Sequence, residues 1–157
     1  MNNTVIENYK KCVMSPVYIS AKWKTEVGFV EHYLEKNKNN IDWWFKNGNQ
    51  GKEYFAVKYF NSVDGKEALF YPDFIIHFKS GKIGIFDTKK DQTATDPKTA
   101  DKAEALVLRL KELSKDCISG IVVFENGVWN YNGSKNYHYQ EGKISQDKNW
   151  LPMEKLF

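Results

Sequence analysis

FYPDFIIHFKSGKIGIFDTK, residues 70–89, is two apolar runs joined by a Ser-Gly-Lys turn. β-Branched and aromatic residues punctuated by glycine are the pattern of a buried β-hairpin. A turn centred on Ser80-Gly81 sets Asp73, near the start of the first strand, opposite Asp87 and Thr88 on the return strand. Cross-strand partners have Cβ atoms about 4.5–5.5 Å apart. Two carboxylates that close repel one another unless a cation stands between them or one keeps its proton. Alternation puts Asp87 and Lys89 on the same face of the strand, flanking Thr88. Two acids and a lysine therefore converge at one end of an apolar hairpin.

The spelling Pro72-Asp73 followed by Asp87-Thr88-Lys89 resembles the PD-(D/E)xK signature of a large nuclease superfamily. The triplet alone is weak, since D-x-K occurs by chance in most chains. Its place at the end of an apolar strand, paired with a Pro-Asp strand, makes it more specific. Without the resemblance, the cluster reads equally well as a structural salt bridge in which Lys89 neutralises Asp73 and Asp87.

The 157 residues are enough for one domain, with 41% hydrophobic and 15% aromatic content. That composition excludes a disordered chain. A net charge of +3 permits a nucleic-acid partner without requiring one. Cys12 and Cys117 stand far apart, with no CxxC pair, so neither a disulfide framework nor a zinc site is indicated. No run of 18 apolar residues and no signal-peptide pattern occur, and the default location is cytoplasmic.

Residues 1–22 read as an irregular N-terminal extension, with MNNTVIEN as a loose end and an apolar patch, Cys12 to Ile19, packing on the body. Thr25 to Lys36 predicts an amphipathic helix, N-capped by Thr25, with Phe29, Val30, Tyr33 and Leu34 facing inward. Glu26 falls on that inner face. It reads either as a first-turn acid on the helix dipole or as a further acid aimed into the Asp73–Asp87 cleft.

Ile41 to Phe45 predicts a short strand that turns at Asn47-Gly48 and pairs with Tyr54–Asn61. Trp43 and Trp44 read as core rather than as a base-stacking platform. Asp64-Gly65 is a second turn, and a polar stretch follows Lys89. Asp96-Pro97 then opens a helix, with Ala103, Leu106, Val107, Leu110 and Leu113 as its apolar stripe. Lys98, Lys102 and Arg109 share another face, which is either ordinary solvated surface or a phosphate-contacting one. Ile118 to Phe124 predicts a buried strand, parallel to a neighbour through a crossover, and Asn126-Gly127 a tight hairpin. The expected fold is α/β, a central mixed sheet flanked by α-helices, with extra hairpins at the ends.

Taken together, TEVGFVEHYLEKN, DWWFKNG, YFAVKY, the hairpin, KTADKAEAL and SGIVVFENGVW are similar in order and spacing to one family. They resemble the endonuclease domain that closes the restriction subunit of type III restriction enzymes and related helicase-nucleases. The resemblance runs from about Trp23 to Trp150. It implies a restriction-endonuclease-like core and Mg²⁺-dependent cleavage of DNA phosphodiesters, with Mn²⁺ as a substitute. It implies Asp73, Asp87 and the Thr88 backbone carbonyl as metal ligands, Lys89 as the catalytic lysine and Glu26 as a helix acid reaching the metal, often through water. It implies phosphate contacts from Lys90, Lys98, Lys102 and Arg109. Implied partners are DNA, a helicase motor and a modification subunit that reads the target, and a homodimer would serve a double-strand break. The chain departs from those long relatives in having no P-loop, so no ATP site is expected in it. It departs too in carrying Asp87 where many members carry glutamate. A DNA-end exonuclease or nickase of the same fold, and a non-catalytic docking module, remain as alternatives.

Overall fold

The computed structural model describes residues 4–157. The expected loose end, Met1 to Asn8, lies partly outside them. A six-stranded mixed sheet forms the centre. Its strands are β3 (Ile41–Lys46), β6 (Phe74–Phe78), β7 (Ile83–Lys89), β8 (Cys117–Glu125), β9 (Val128–Asn132) and β10 (Trp150–Pro152). They lie in the order β10-β9-β8-β7-β6-β3. The β6–β7 hairpin forms as read from the sequence, with Phe74 opposite Phe86 and His77 opposite Ile83. β7 and β8 run parallel, and every other neighbour in this sheet is antiparallel.

Alternation along β6 and β7 divides the interior into two layers. Phe74, Ile76, Phe78 and Phe86 point to one side, where Phe29, Val30, Tyr33 and Leu34 cover them. Helix α1 (Lys24–Phe29) runs directly into a π-helical stretch, Val30–Leu34, and together they supply that cover. Phe29 stacks on Tyr33 and meets Phe74 and Trp129 at ring distances of 5.0 and 5.2 Å. Burying each such ring is worth about 1.5–3 kcal/mol, so this layer anchors the fold. On the opposite side, Ile85, Ile121 and Val123 are covered by Ala103, Leu106 and Leu110 of α3 (Pro97–Leu113). Asp96 caps that helix as expected, its side chain accepting from the Lys98 N–H at 2.9 Å.

Several expectations need correction. β3 does not pair with Tyr54–Asn61. It lies antiparallel to β6, with Trp44 opposite Ile76. The segment after it pairs elsewhere: β4 (Val57–Asn61) and β5 (Lys66–Phe70) form a separate two-stranded sheet across the Asp64-Gly65 turn. The physical reason is Asn47. Its side chain bonds both the Phe55 and Pro72 carbonyls at 2.8 Å, tying the loop to the start of β6 instead of turning a hairpin. The N-terminal segment packs on the body as expected but carries a strand pair within it. β1 (Thr4–Glu7) pairs with β2 (Val17–Ser20), whose Val17 and Ile19 enter the core. The backbone of Lys11 and Val13 then bonds Trp44 on the outer edge of β3.

The first helix starts at Lys24, with Trp23 and not Thr25 at its cap. Leu113 is 51% exposed and falls off the α3 stripe, while the other four members are buried. One helical turn, α2 (Asp91–Ala94), interrupts the polar stretch after Lys89. The tryptophan pair divides: Trp44 is fully buried, whereas Trp43 stacks on His77 at 5.6 Å on the other face of the sheet. Among the described residues, no helix is long and apolar enough to cross a membrane.

Candidate functional site

The C-terminal end of β7 carries the expected acids and lysine. Asp73 stands one residue before β6, one step past the Phe74–Phe86 pair. Its Oδ2 accepts from both the backbone N–H and the hydroxyl of Thr88, each at 2.8 Å. Asp87 and Lys89 project together on the α3 side of β7, and the Lys89 ammonium is ion-paired with Asp87 Oδ2. Alternation, the hairpin register and the side-chain ion pair thus agree.

Asp87 is 2% exposed. Burial, and then repulsion from Asp73, push its carboxyl up to about 7, although Lys89 pulls the other way. Burial draws the Lys89 ammonium down, but the attraction of Asp87 and Asp73 outweighs it and leaves it above the ordinary lysine value. Glu26, on α1, enters from the other side of the sheet. Burial and repulsion from Asp73 raise its carboxyl, and Lys46 and Lys89 oppose them. The three acids and Lys89 therefore belong to one electrostatic cluster.

Lys46 completes that cluster. Sequence reasoning passed over it, although it closes an apolar strand as Lys89 does. Its Nζ lies 3.1 Å from Glu26 Oε2 and 3.8 Å from Asp73 Oδ1. Asn47 was likewise missed. Its N–H bonds the Asp73 carbonyl at 2.8 Å and fixes the backbone that presents the acid.

The four basic residues expected on phosphates separate. Lys102 lies near the cluster, half-buried, with its ammonium over the Tyr59 and Phe70 rings at 5.7 and 5.4 Å. Burial and the nearby Lys89 lower its affinity for a proton, and Asp87 partly restores it. Lys98 is one turn away on the same helix and adds to that repulsion. Lys90 is exposed at the start of α2. Arg109 does not join them: seven residues are two turns, about 10 Å along a helix, and its guanidinium pairs with Glu112 at 3.1 Å.

Among the described residues, no three His, Cys, Asp or Glu side chains stand close enough to ligate one ion. Mg²⁺ asks for less, one or two carboxylates with the remaining positions held by water. The donors at the end of β7 are hard oxygens of that kind. Three carboxylates, Glu26, Asp73 and Asp87, are paired with two lysines, Lys46 and Lys89. The residues present fit a divalent cation.

The buried charge has a measurable cost. Because folding raises the Asp87 carboxyl from 3.8 to about 7, its contribution is fully present below pH 4 and is lost as pH rises to 7. Asparagine mimics the protonated acid at every pH. Metal-free Asp87→Asn should therefore be more stable to urea than wild type at pH 8, by roughly 4 kcal/mol, and match it near pH 4. Equal stability at both pH values would refute the strained carboxylate.

These features define an α/β protein whose central sheet gathers a charged cluster at the end of its parallel strand. The chain matches the YagJ family over residues 10–116 and belongs to that family. The matched segment contains Glu26, Lys46, Asp73, Asp87, Lys89 and Lys102, and ends before β8. No curated protein and no solved structure matches the chain.

Proposed function

We propose that this protein is a Mg²⁺-dependent DNA endonuclease domain with a restriction-endonuclease-like core, the cleavage module of a type III restriction-like enzyme. The observation that carries the reading is the pairing of Lys89 with Asp87 beside Asp73, at the end of a buried strand. Burial and the neighbouring Asp73 raise the Asp87 carboxyl, a perturbation of the kind that clusters at functional sites. The sequence resemblance to type III nuclease domains supports the same reading.

In this reading Asp73, Asp87 and the Thr88 carbonyl hold the ion. Bound there, Mg²⁺ supplies a more acidic water and a counter-charge for the phosphate. Thr88 fixes the Asp73 carboxylate through two hydrogen bonds. Lys89 orients the attacking water and neutralises charge on the phosphate. Lys90, Lys98 and Lys102 lie along the approach and contact phosphates, while Arg109 serves α3 through Glu112. Recognition of a target sequence is left to a partner subunit, and a helicase motor delivers the DNA.

Mn²⁺ calorimetry tests the reading. Binding is expected in the folded protein, and its absence would favour a docking module. Binding to duplex DNA through phosphates should also weaken with salt, with log K falling by about 0.9 per contact for each unit of log salt. With two or more lysines engaged, a flat titration between low and physiological salt would be incompatible with phosphate contacts.

A further inference from the structure

The chemistry proposed above makes no use of Lys46, although its ammonium is the most enclosed cation of the cluster. The side chain is only 9% exposed. Nζ lies 3.1 Å from Glu26 Oε2 and 3.8 Å from Asp73 Oδ1, and donates to the Asn47 carbonyl at 3.1 Å. The Phe74 and Trp23 rings lie 5.2 and 5.8 Å from it. Burying an ammonium is costly unless it is paired and hydrogen-bonded, and here two carboxylate oxygens, a carbonyl and two ring faces lie around it. Glu26 Oε2 is closed to solvent, so its partner is this ammonium and not water. The backbone beneath is held as well, through the bond from Asn47 N–H to the Asp73 carbonyl.

The geometry points to Lys46 as a resident cation in the place of a second metal ion, so that the site binds one divalent ion, on its Asp73–Asp87 side. The inference rests on the metal-dependent reading above and adds its stoichiometry. Charge balance favours it. Glu26, Asp73 and Asp87 against Lys46 and Lys89 leave one negative charge, and a single divalent ion together with one phosphodiester brings the site to neutrality. A second ion between Glu26 and Asp73 would have to displace Lys46, whose stem is packed and whose ammonium would then face a divalent cation at close range. Glu26 thus acts on the metal through Lys46, as a positioning residue.

The test is Mn²⁺ calorimetry on the full chain at fixed pH, comparing wild type with Lys46→Met and with the double variant Glu26→Gln, Lys46→Met. Wild type should bind one ion. Lys46→Met, which frees Glu26 and one oxygen of Asp73, should bind two, or bind the first at least about 10-fold more tightly. The double variant, which restores the wild-type charge without the second carboxylate, should return to one ion at about wild-type affinity. A purely structural lysine would change melting temperature and leave stoichiometry and affinity alone. If Lys46→Met does not fold, the double variant, from which the buried pair is removed as a unit, and the wild-type stoichiometry still decide the matter. Two ions in wild type would overturn this inference and leave the nuclease reading standing. No Mn²⁺ binding by wild type or any variant would overturn both.

Discussion

Lys89→Ala should slow DNA cleavage by at least about 10²-fold while leaving Mn²⁺ binding undiminished, because in the proposed function the residue acts on the reacting phosphate and water rather than on the ion. Removing one group that stabilises developing charge costs that much in other hydrolases when the site is dry and preorganised. The Lys89 side chain is 19% exposed, and its ammonium is kept charged by Asp87 and Asp73. Alanine deletes one positive charge from a site with surplus negative charge, so metal affinity rises or stays level. A structural salt bridge would behave in the opposite way. Its loss would leave Asp87 buried without a counter-ion, lower stability, and have no separate effect on turnover. Single-turnover cleavage of supercoiled plasmid in Mn²⁺, beside a melting curve for each variant, separates the two. A variant that cut within about twofold of wild type would exclude Lys89 from the chemistry.

Replacing Asp73 and Asp87 together by asparagine should abolish Mn²⁺ binding, a loss of more than about 100-fold in affinity, since these carboxylates are the proposed first ligands. The fold should survive, because asparagine keeps the shape of both side chains and removes the repulsion that lifts the Asp87 carboxyl. The Thr88 bonds to residue 73 can still be accepted by the amide oxygen. Calorimetry on the double variant therefore tests the ligand assignment without confusing it with unfolding. Retention of wild-type affinity would move the ion elsewhere and leave Asp73, Asp87 and Lys89 as an ion-pair cluster.

Much of the site was legible in the sequence because a two-residue period and one tight turn determine where hairpin side chains go. Ser80-Gly81 set the register, and the register set Asp73 against Asp87, within reach of Thr88. Glu26 was legible for a similar reason, as part of a face with Phe29, Val30 and Tyr33. What escaped depended on contacts distant in the chain. Asn47 looks like the first half of an Asn-Gly hairpin turn, yet its side chain is spent on Phe55 and Pro72, and β3 finds its partner 28 or more residues later at β6. Lys46 went unread because a lysine at the end of a strand ordinarily faces water, and only the packing of α1 against β6 encloses it. Arg109 presents the converse case. Shared helical phase with Lys102 says nothing about distance along the axis, and Glu112, three residues away, claims the guanidinium.

The strict alternation of β7 also protects the protein against its nearest misfolded rival. Slipping that strand by one residue would turn Asp87 and Lys89 in among Phe29, Phe74 and Tyr131, and turn Phe86 out under α3. Such a slip could re-form most backbone bonds with shifted partners, and for an all-apolar strand it would be cheap. Here it would drive a carboxylate and an ammonium into an aromatic layer, at the desolvation cost of both charges. The pair that makes the native state harder to hold at high pH makes the shifted one harder still. Variants that neutralise the end of β7 should therefore gain stability and lose uniqueness together.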